Sequence, residues 1–90
     1  MAGTQFTPEY LAHILTLATG VDEHGDLGDC LDTDFAALGY ESLGLLETAS
    51  RIERDYGIRL DDSLVTVSAT PRALITAVNA QIGRTAQRAT

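Results

Sequence analysis

A serine stands near the middle of the chain, within the stretch LGYESLGLLET over residues 38–48. Ser42 follows a Gly-Tyr-Glu turn and comes directly before a run of apolar residues with helical spacing. A hydroxyl in this setting has several chemical uses. It caps a helix, attacks a substrate as a nucleophile, or accepts a covalent modification. The residues around it decide how far each use is supported.

A nucleophilic serine needs partners that this chain does not supply. The hydrolase pattern G-x-S-x-G lies on a turn from strand to helix, and here position 40 is Tyr instead of Gly. His13 falls on the outward side of a predicted helix, and His24 lies in an acidic loop, so we expect no Ser-His-Asp triad. Cys30 has no evident base partner, and we interpret it as a buried or half-buried structural thiol.

Capping is the simplest use of Ser42 on local sequence alone, because serine is a preferred residue before a helix. This use is compatible with a modification. A helix N-terminus stabilises a phosphate group through its free N–H groups and its dipole. A phosphodiester on the Ser42 hydroxyl would therefore be electrostatically favourable.

The acidic region over residues 22–47 holds eight acids and no arginine, which raises the question of a calcium site. An EF-hand loop needs Gly at its sixth position and Glu at its twelfth. A loop that starts at Asp22 has Leu27 at the sixth position, and one that starts at Asp32 has Leu43 at the twelfth. The sequence also lacks a glycine-rich phosphate loop and a zinc-spaced set of Cys and His. We therefore predict no metal.

The charge of the whole chain restricts its partners. The chain has 13 acidic residues, 6 arginines and no lysine, so its formal net charge is −7. Nucleic acids and anionic membranes bind basic patches, so we expect neither as a partner, whereas cationic protein surfaces suit this chain. No run is long enough to span a membrane, the N-terminus lacks signal-peptide features, and a single cysteine suits a reducing compartment. We expect a cytoplasmic protein.

Helical spacing of the apolar residues predicts an all-α fold. The first helix covers about residues 8–19, with Thr7 as its N-cap and Gly20 as its stop. The second covers residues 42–56 and ends at Gly57. On its outward side the helix carries Leu43, Glu47, Ser50 and Arg54.

A last main helix starts after Thr70 and runs to about Ile82, with Gly83 as its stop, and a short helical turn lies around residues 61–65. We predict a small bundle of three main helices plus one short helix, with a long loop between the first two. Apolar residues spaced through that loop are expected to hold it to the core: Leu27, Leu31, Phe35 and Leu38. The chain forms one domain over residues 1–90, with its core at about 8–83 and a flexible tail at 84–90.

The stretch DFAALGYESLGLLETASRIERDYGIRL resembles the acyl carrier proteins, whose pattern is roughly F-x-x-L-G-x-D-S-L followed by an acidic helix and Y-G-I. Together with TPRALITAVNAQI it looks most like the stand-alone carriers of type II aromatic polyketide synthases, over about residues 9–83. The resemblance implies an acyl-carrier bundle without catalytic activity of its own. It also implies that Ser42 carries 4′-phosphopantetheine, whose thiol holds a growing polyketide as a thioester. Glu41 stands where the family usually has Asp, and Ala37 replaces a frequent acid.

The same resemblance implies a docking surface for basic partners, formed by Glu41, Leu43, Glu47 and Glu53. The implied partners are a phosphopantetheinyl transferase, a ketosynthase with its chain-length factor, a malonyl transferase, and tailoring enzymes such as a ketoreductase or cyclase. We expect the carrier itself to be a monomer. The alternative for Glu47 is an ordinary ion pair with Arg51 on a solvated face.

Arg72 and Asn79 share one edge of the apolar face of the last helix. Their donors are suited to the carbonyls of a poly-β-ketone, so we predict contacts with the bound chain. The alternative is that Arg72 is solvated and Asn79 is satisfied within the fold. Two further functions also stay open: a carrier for fatty acid, aminoacyl or peptidyl chemistry, and an unmodified acidic helical adaptor.

Overall fold

The computed structural model describes residues 5–20 and 27–88 of the chain. The helices follow in the order α1 (Pro8–Thr19), a 3₁₀ helix (Leu27–Cys30), α2 (Ser42–Tyr56), a second 3₁₀ helix (Asp62–Leu64) and α3 (Pro71–Arg88). These ranges contain no β-strand. The predicted all-α bundle, with its long connection between the first two helices, is confirmed.

The ends of α1 and α2 follow from local chemistry. Thr7 caps α1, because its hydroxyl oxygen accepts the backbone N–H of Tyr10 at 3.1 Å. Gly20 and Gly57 end α1 and α2 in the left-handed conformation, at φ 77° and 67°, where a side chain would be strained. Both stops were predicted from the sequence.

The predicted stop of the last helix at Gly83 is wrong, because α3 continues through this residue to Arg88. A glycine ends a helix where the chain turns into the left-handed region. Among the described glycines only Gly20, Gly39 and Gly57 have positive φ. The residues after Gly83 include no proline, and they are compatible with continued helix.

One apolar core joins the three helices and the loops between them. It extends beyond its expected start near residue 8, because Phe6 is only 1% exposed. The ring of Phe6 meets those of Tyr10 and Tyr56 edge-on, with centroids 5.8 and 5.6 Å apart. The buried apolar residues are Phe6, Leu11, Ile14, Leu15, Leu27, Phe35, Leu38, Tyr40, Leu45, Ala49, Ile52, Ile58, Val65, Leu74 and Val78.

The described part of the long loop is anchored close to the start of α2. Phe35 is fully buried, and its N–H donates to the carbonyl of Ala69 at 3.0 Å. The next N–H, that of Ala36, donates to the carbonyl of Val67 at 2.8 Å. The chain then turns at Gly39, with φ 92°, and buries Tyr40. These contacts fix the point at which α2 begins.

Some of the residues considered from the sequence have no described position: His24 and the acids Asp22, Glu23 and Asp26 lie outside the described residues. Cys30 is a half-buried free thiol, as predicted. In residues 5–20 and 27–88, no helix is both long enough and apolar enough to cross a membrane. The same ranges hold no cluster of His, Cys, Asp and Glu suited to a metal ion.

Candidate functional site

Ser42 is exposed and is the first helical residue of α2. The interpretation of Ser42 as the N-cap is wrong, because the N-cap position belongs to Glu41, at φ −102° and ψ 160°. The helix covers residues 42–56 as predicted, and its first hydrogen bond runs from the N–H of Leu45 to the carbonyl of Glu41 at 3.1 Å. The Ser42 hydroxyl makes no hydrogen bond with the described residues, so capping does not occupy it.

The start of α2 lacks a side-chain cap, because Glu41 forms no cap hydrogen bond. The first N–H groups of a helix have no partner within the helix, and they carry the positive end of its dipole. A phosphate on the neighbouring Ser42 hydroxyl would lie in this field and would be stabilised by it. The residues present therefore fit a phosphodiester-linked group.

A cleft of about 370 Å³ opens beside Ser42, between the end of α1 and the start of α2. It has the size of small-molecule sites in proteins, which span about 300–1,000 Å³. Both sequence neighbours of Ser42 contribute to its walls. The lining residues are Ala18, Thr19, Gly39, Tyr40, Glu41, Leu43, Gly44 and Glu47.

Gly44 lets α1 and α2 approach closely at this cleft. A Cβ atom at position 44 would lie 2.6 Å from Cγ2 of Thr19, which is closer than two carbons pack. Thr19 is held in place because its hydroxyl donates to the carbonyl of Leu15 at 2.7 Å. The absence of a side chain at Gly44 is therefore a packing requirement of this site.

The outward side of α2 continues from the cleft as a second, shallow groove. Leu43 is 75% exposed, as predicted from its outward side, and Leu46 is 51% exposed. Glu47 is exposed, and within the described residues it forms no ion pair with Arg51. The groove is lined by Leu43, Leu46, Glu47, Ser50, Arg51 and Arg54.

The expected pair of Glu47 and Arg51 is therefore not formed. The Nε atom of Arg51 is instead buried without a hydrogen-bond partner. The carboxylate of Glu47 stays available to a partner surface, close to both Ser42 and Leu43 in sequence.

Glu53 does not join this surface. It is half-buried, and its carboxylate accepts the backbone N–H of Leu60 at 2.7 Å. This bond fixes the chain that follows α2, so Glu53 has a structural contact that Glu47 lacks.

Arg72 lies at the start of α3 and is tied to the long loop. Its guanidinium donates to both carboxylate oxygens of Asp32, from Nε at 2.7 Å and from a terminal nitrogen at 3.2 Å. Its backbone N–H donates to the carbonyl of Leu31 at 3.0 Å. The hydrogen bond and charge of Arg72 lower the pKa of Asp32, and the pKa of Arg72 is raised in turn.

The side chain of Asn79 is satisfied within the fold. Its oxygen accepts the N–H of Phe6 at 2.7 Å, and its nitrogen donates to the carbonyl of Phe6 at 2.9 Å. A contact with a bound chain would compete with these bonds, and for Arg72 it would compete with Asp32. That contact stays a prediction for both residues.

The structure thus gathers four of the seven residues selected from the sequence, namely Glu41, Ser42, Leu43 and Glu47, at the start of α2. It places Glu53, Arg72 and Asn79 in other contacts. The sequence reasoning missed the cleft residues Ala18, Thr19, Gly39 and Gly44. Gly44 was the available signal, because glycine is a poor helix former and its presence early in α2 indicates close packing.

Comparisons with known proteins agree with this geometry. The family model described as "Phosphopantetheine attachment site" matches residues 9–78. The monensin polyketide synthase acyl carrier protein of Streptomyces virginiae is 51% identical over 82 residues, which span 91% of this chain and 93% of that protein. The chain belongs to the acyl carrier proteins of type II polyketide synthases. The oxytetracycline polyketide synthase acyl carrier protein of Streptomyces rimosus is also 51% identical to this carrier, over 76 residues and 80% of each chain.

The fold of the carrier matches a solved relative as well. The solution structure of the acetyl actinorhodin acyl carrier protein from Streptomyces coelicolor superposes with a TM-score of 0.76. The two chains are 36% identical, and the match covers 94% of this carrier and 99% of that protein. The carrier is accordingly a non-catalytic protein of a polyketide synthase, with a phosphopantetheine group on which intermediates are held.

Proposed function

We propose that Ser42 is the attachment point of 4′-phosphopantetheine and that the carrier presents polyketide intermediates from there to a series of partner enzymes. The observation that carries this proposal is the exposed, uncommitted hydroxyl of Ser42 at the uncapped start of α2. No other serine combines these features with an adjoining cleft and an exposed acidic and apolar surface.

The attachment reaction needs only a nucleophilic oxygen from this chain. The Ser42 Oγ attacks the phosphorus of coenzyme A that bears the pantetheine, and an Oγ–P bond forms as the pyrophosphate bond breaks. Adenosine 3′,5′-bisphosphate leaves, and the serine proton passes to a base of the transferase. The Ser42 hydroxyl accordingly needs no hydrogen-bonded base within the described residues. When bound, the group supplies the thiol that carries the acyl chain as a thioester.

The field at the start of α2 supports the modified state. The uncapped N–H groups and the helix dipole stabilise the phosphodiester charge. Because Ser42 is exposed, its hydroxyl is also accessible to an approaching transferase. The chain itself offers the hydroxyl, stabilises the product and does no further chemistry.

The surface beside Ser42 is suited to basic partners. Glu41, Leu43 and Glu47 surround the serine, and all three are exposed. The carboxylate of Glu47 has no ion-pair partner in the described part of the chain, so docking does not have to break an existing pair. Leu43 offers apolar contact at the centre, which is the arrangement of a small docking site with a polar rim.

We propose that Glu53 contributes less to docking than Glu47, because its carboxylate already accepts the N–H of Leu60. The proposed partners are a phosphopantetheinyl transferase, a ketosynthase with its chain-length factor, a malonyl transferase and tailoring enzymes such as a ketoreductase or cyclase. The proposed compartment is the cytoplasm, and the proposed working form is a monomer. The formal charge of −7 supports steering toward cationic surfaces.

The decisive experiment is the intact mass of the chain after incubation with coenzyme A and a broad-specificity phosphopantetheinyl transferase. We expect a gain of one phosphopantetheine in the wild type. The Ser42→Ala variant should show no gain, and Ser50→Ala, which changes an exposed serine two turns further along α2, should behave like the wild type.

A gain that persists in Ser42→Ala would assign the group to another residue and contradict the proposal. If the wild type itself shows no gain, Glu41→Asp separates two causes. A gain that appears only in that variant assigns the failure to the transferase, because the shorter carboxylate restores the residue usual before the serine. No gain in either form would support the unmodified acidic adaptor instead.

A further inference from the structure

The shallow groove on the outer side of α2 carries two arginines in an otherwise acidic chain. The groove has a volume of about 350 Å³, and Glu47, Arg51 and Arg54 lie along it at helical spacing. Arg51 and Arg54 follow Glu47 by about 6 and 10.5 Å along the helix axis. The groove therefore changes sign along its length, from negative near Ser42 to positive further along α2.

Arg51 is a cation without a partner in the described chain. It is half-buried, and its Nε atom is buried without a hydrogen-bond partner. The acids Glu47 and Asp55 lie one helical turn to either side of it, and neither forms an ion pair with it. Buried donors in folded proteins nearly always have a partner. The buried part of the side chain also restricts the guanidinium, which lowers the entropy cost of binding a carboxylate.

Arg54 adds a second cation to the same end of the groove. Its side chain is exposed and forms no ion pair with the described residues. Arg72 differs in this respect, because its guanidinium is bound to both carboxylate oxygens of Asp32. The groove thus gathers two guanidinium groups that no described acid neutralises.

We propose that the partner enzymes that dock on α2 carry an acidic residue against Arg51 and Arg54, beside the basic residue that faces Glu47. The inference rests on the docking surface proposed above and adds a contact of the opposite sign to it. A guanidinium binds a carboxylate through two parallel hydrogen bonds. Arginine is also frequent among the few residues that dominate the binding energy of an interface.

The composition of the groove indicates a protein surface as its occupant. The occupant has to present a cation to Glu47, apolar surface to Leu43 and Leu46, and an acid to the arginines. A small anion such as phosphate satisfies the arginines alone, and it is repelled by Glu47. A second copy of the chain carries the same net charge of −7, so two carriers repel each other. A partner with a base and an acid side by side satisfies the whole groove.

Two signs of charge also define the direction in which a partner lies along α2. A partner face with only basic residues attracts Glu47 but repels Arg51 and Arg54. A face with both signs matches the groove in one direction, because the reversed direction brings like charges together. The direction sets the side of the partner on which Ser42 lies. The two arginines are therefore specificity determinants for docking.

The test measures binding of the unmodified carrier to the ketosynthase and chain-length factor of the same synthase, by isothermal titration calorimetry at low ionic strength. Arg51→Gln should weaken binding by roughly ten-fold, and the exposed Arg54 should contribute roughly two- to five-fold in Arg54→Gln. Each variant changes the net charge from −7 to −8. If the partner face were only basic, both variants would therefore bind more tightly than the wild type.

Two further variants serve as references. Glu47→Gln should weaken binding, which establishes that the partner docks on this face of α2. Arg59→Gln makes the same change in net charge at an exposed position outside the groove, so it should bind within about two-fold of the wild type or more tightly. Urea unfolding checks that all variants are folded.

Tighter or unchanged binding of both Arg51→Gln and Arg54→Gln would overturn the inference and leave docking through Glu47 intact. An equal loss in Arg59→Gln would also overturn it, because net charge would then be the cause. A carrier that sediments as a dimer, and as a monomer in both variants, would assign the groove to a second copy instead.

The proposed function fails in a different way. If the wild type does not bind, or if Glu47→Gln binds like the wild type, the docking surface and the inference fall together. Attachment at Ser42 is measured independently by intact mass, so its failure leaves the binding result unchanged.

Discussion

Asn79 holds Phe6 by both hydrogen-bonding groups of its backbone, with an accepted bond of 2.7 Å and a donated bond of 2.9 Å. Two residues later, Gln81 does the same for Arg59: it accepts the N–H at 3.4 Å and donates to the carbonyl. Two carboxamides of α3 therefore fix the segment before α1 and the segment after α2.

Replacing Asn79 by Ala should lower the free energy of unfolding by about 1–3 kcal/mol, because two backbone groups of Phe6 lose their partners. Urea denaturation measures the change. Thr76→Ala, at an exposed position of the same helix, should change stability by less than about 0.5 kcal/mol. Equal stability of both variants would show that the two hydrogen bonds to Phe6 contribute nothing to the stability of the fold.

In Gly44→Ala the new Cβ would lie 2.6 Å from Cγ2 of Thr19, and this overpacking should cost about 1–3 kcal/mol. Alanine brings a gain of about 1 kcal/mol within a helix, so the net destabilisation should be about 0–2 kcal/mol. Adding Thr19→Ser removes Cγ2 and keeps the hydroxyl, so the double variant should recover the loss. A double-mutant cycle by thermal or urea unfolding gives the coupling, and additive effects would contradict the contact.

Glu53→Ala should cost about 1–3 kcal/mol of stability, because the N–H of Leu60 loses its acceptor. Glu53→Gln keeps an oxygen at that place and should cost less. The matched control is Glu47→Ala, which removes an exposed carboxylate without an ion pair and should leave stability within about 0.5 kcal/mol. Partner binding should show the reverse order, with the larger loss for Glu47→Ala.

The Asp32–Arg72 pair should make a small contribution to stability that depends on pH. Arg72 lowers the folded-state pKa of Asp32 below its ordinary value of 3.8, so the unfolded chain takes up the proton first as pH falls. The contribution is present above that value and is lost as pH falls through the lower folded-state pKa. Urea unfolding of Asp32→Asn and wild type should therefore differ at pH 7 and converge in strong acid.

Both side chains of this pair are exposed, so added salt should also reduce the difference. Asp62→Asn is the control, because Asp62 is an exposed acid without an ion pair in the described chain. A difference for Asp32→Asn that stays constant from pH 7 to strong acid would contradict the role of its charge.

Local signals in the sequence were enough to predict the bounds of α1 and α2. Thr7, Pro8 and Gly20 mark one helix, and Gly57 ends the next, because caps and left-handed glycines act on neighbouring residues. Gly83 was misleading for the same reason: a glycine ends a helix only when the chain beyond it turns away. The exposure of Leu43 beside Ser42 also followed from helical spacing alone.

Contacts between residues that are distant in the sequence could not be predicted from such local signals. Nothing in the spacing of Asn79 indicates that Phe6, 73 residues earlier, lies against it. The cleft likewise exists because the end of α1 crosses the start of α2 at Gly44, which is a property of tertiary packing. Ser42 was taken as a cap because serine favours that position, but the cap position belongs to Glu41, and Ser42 is the first helical residue of α2.

Leu43 and Glu47 line both the cleft beside Ser42 and the shallow groove on the outer side of α2. A partner protein that binds these two side chains from the groove therefore holds one wall of the cleft as well. A ligand of the cleft and a partner in the groove share this wall, so their binding is thermodynamically linked, and each changes the affinity of the other by the same factor. The affinity of this carrier for a partner enzyme therefore depends on what the cleft beside Ser42 holds.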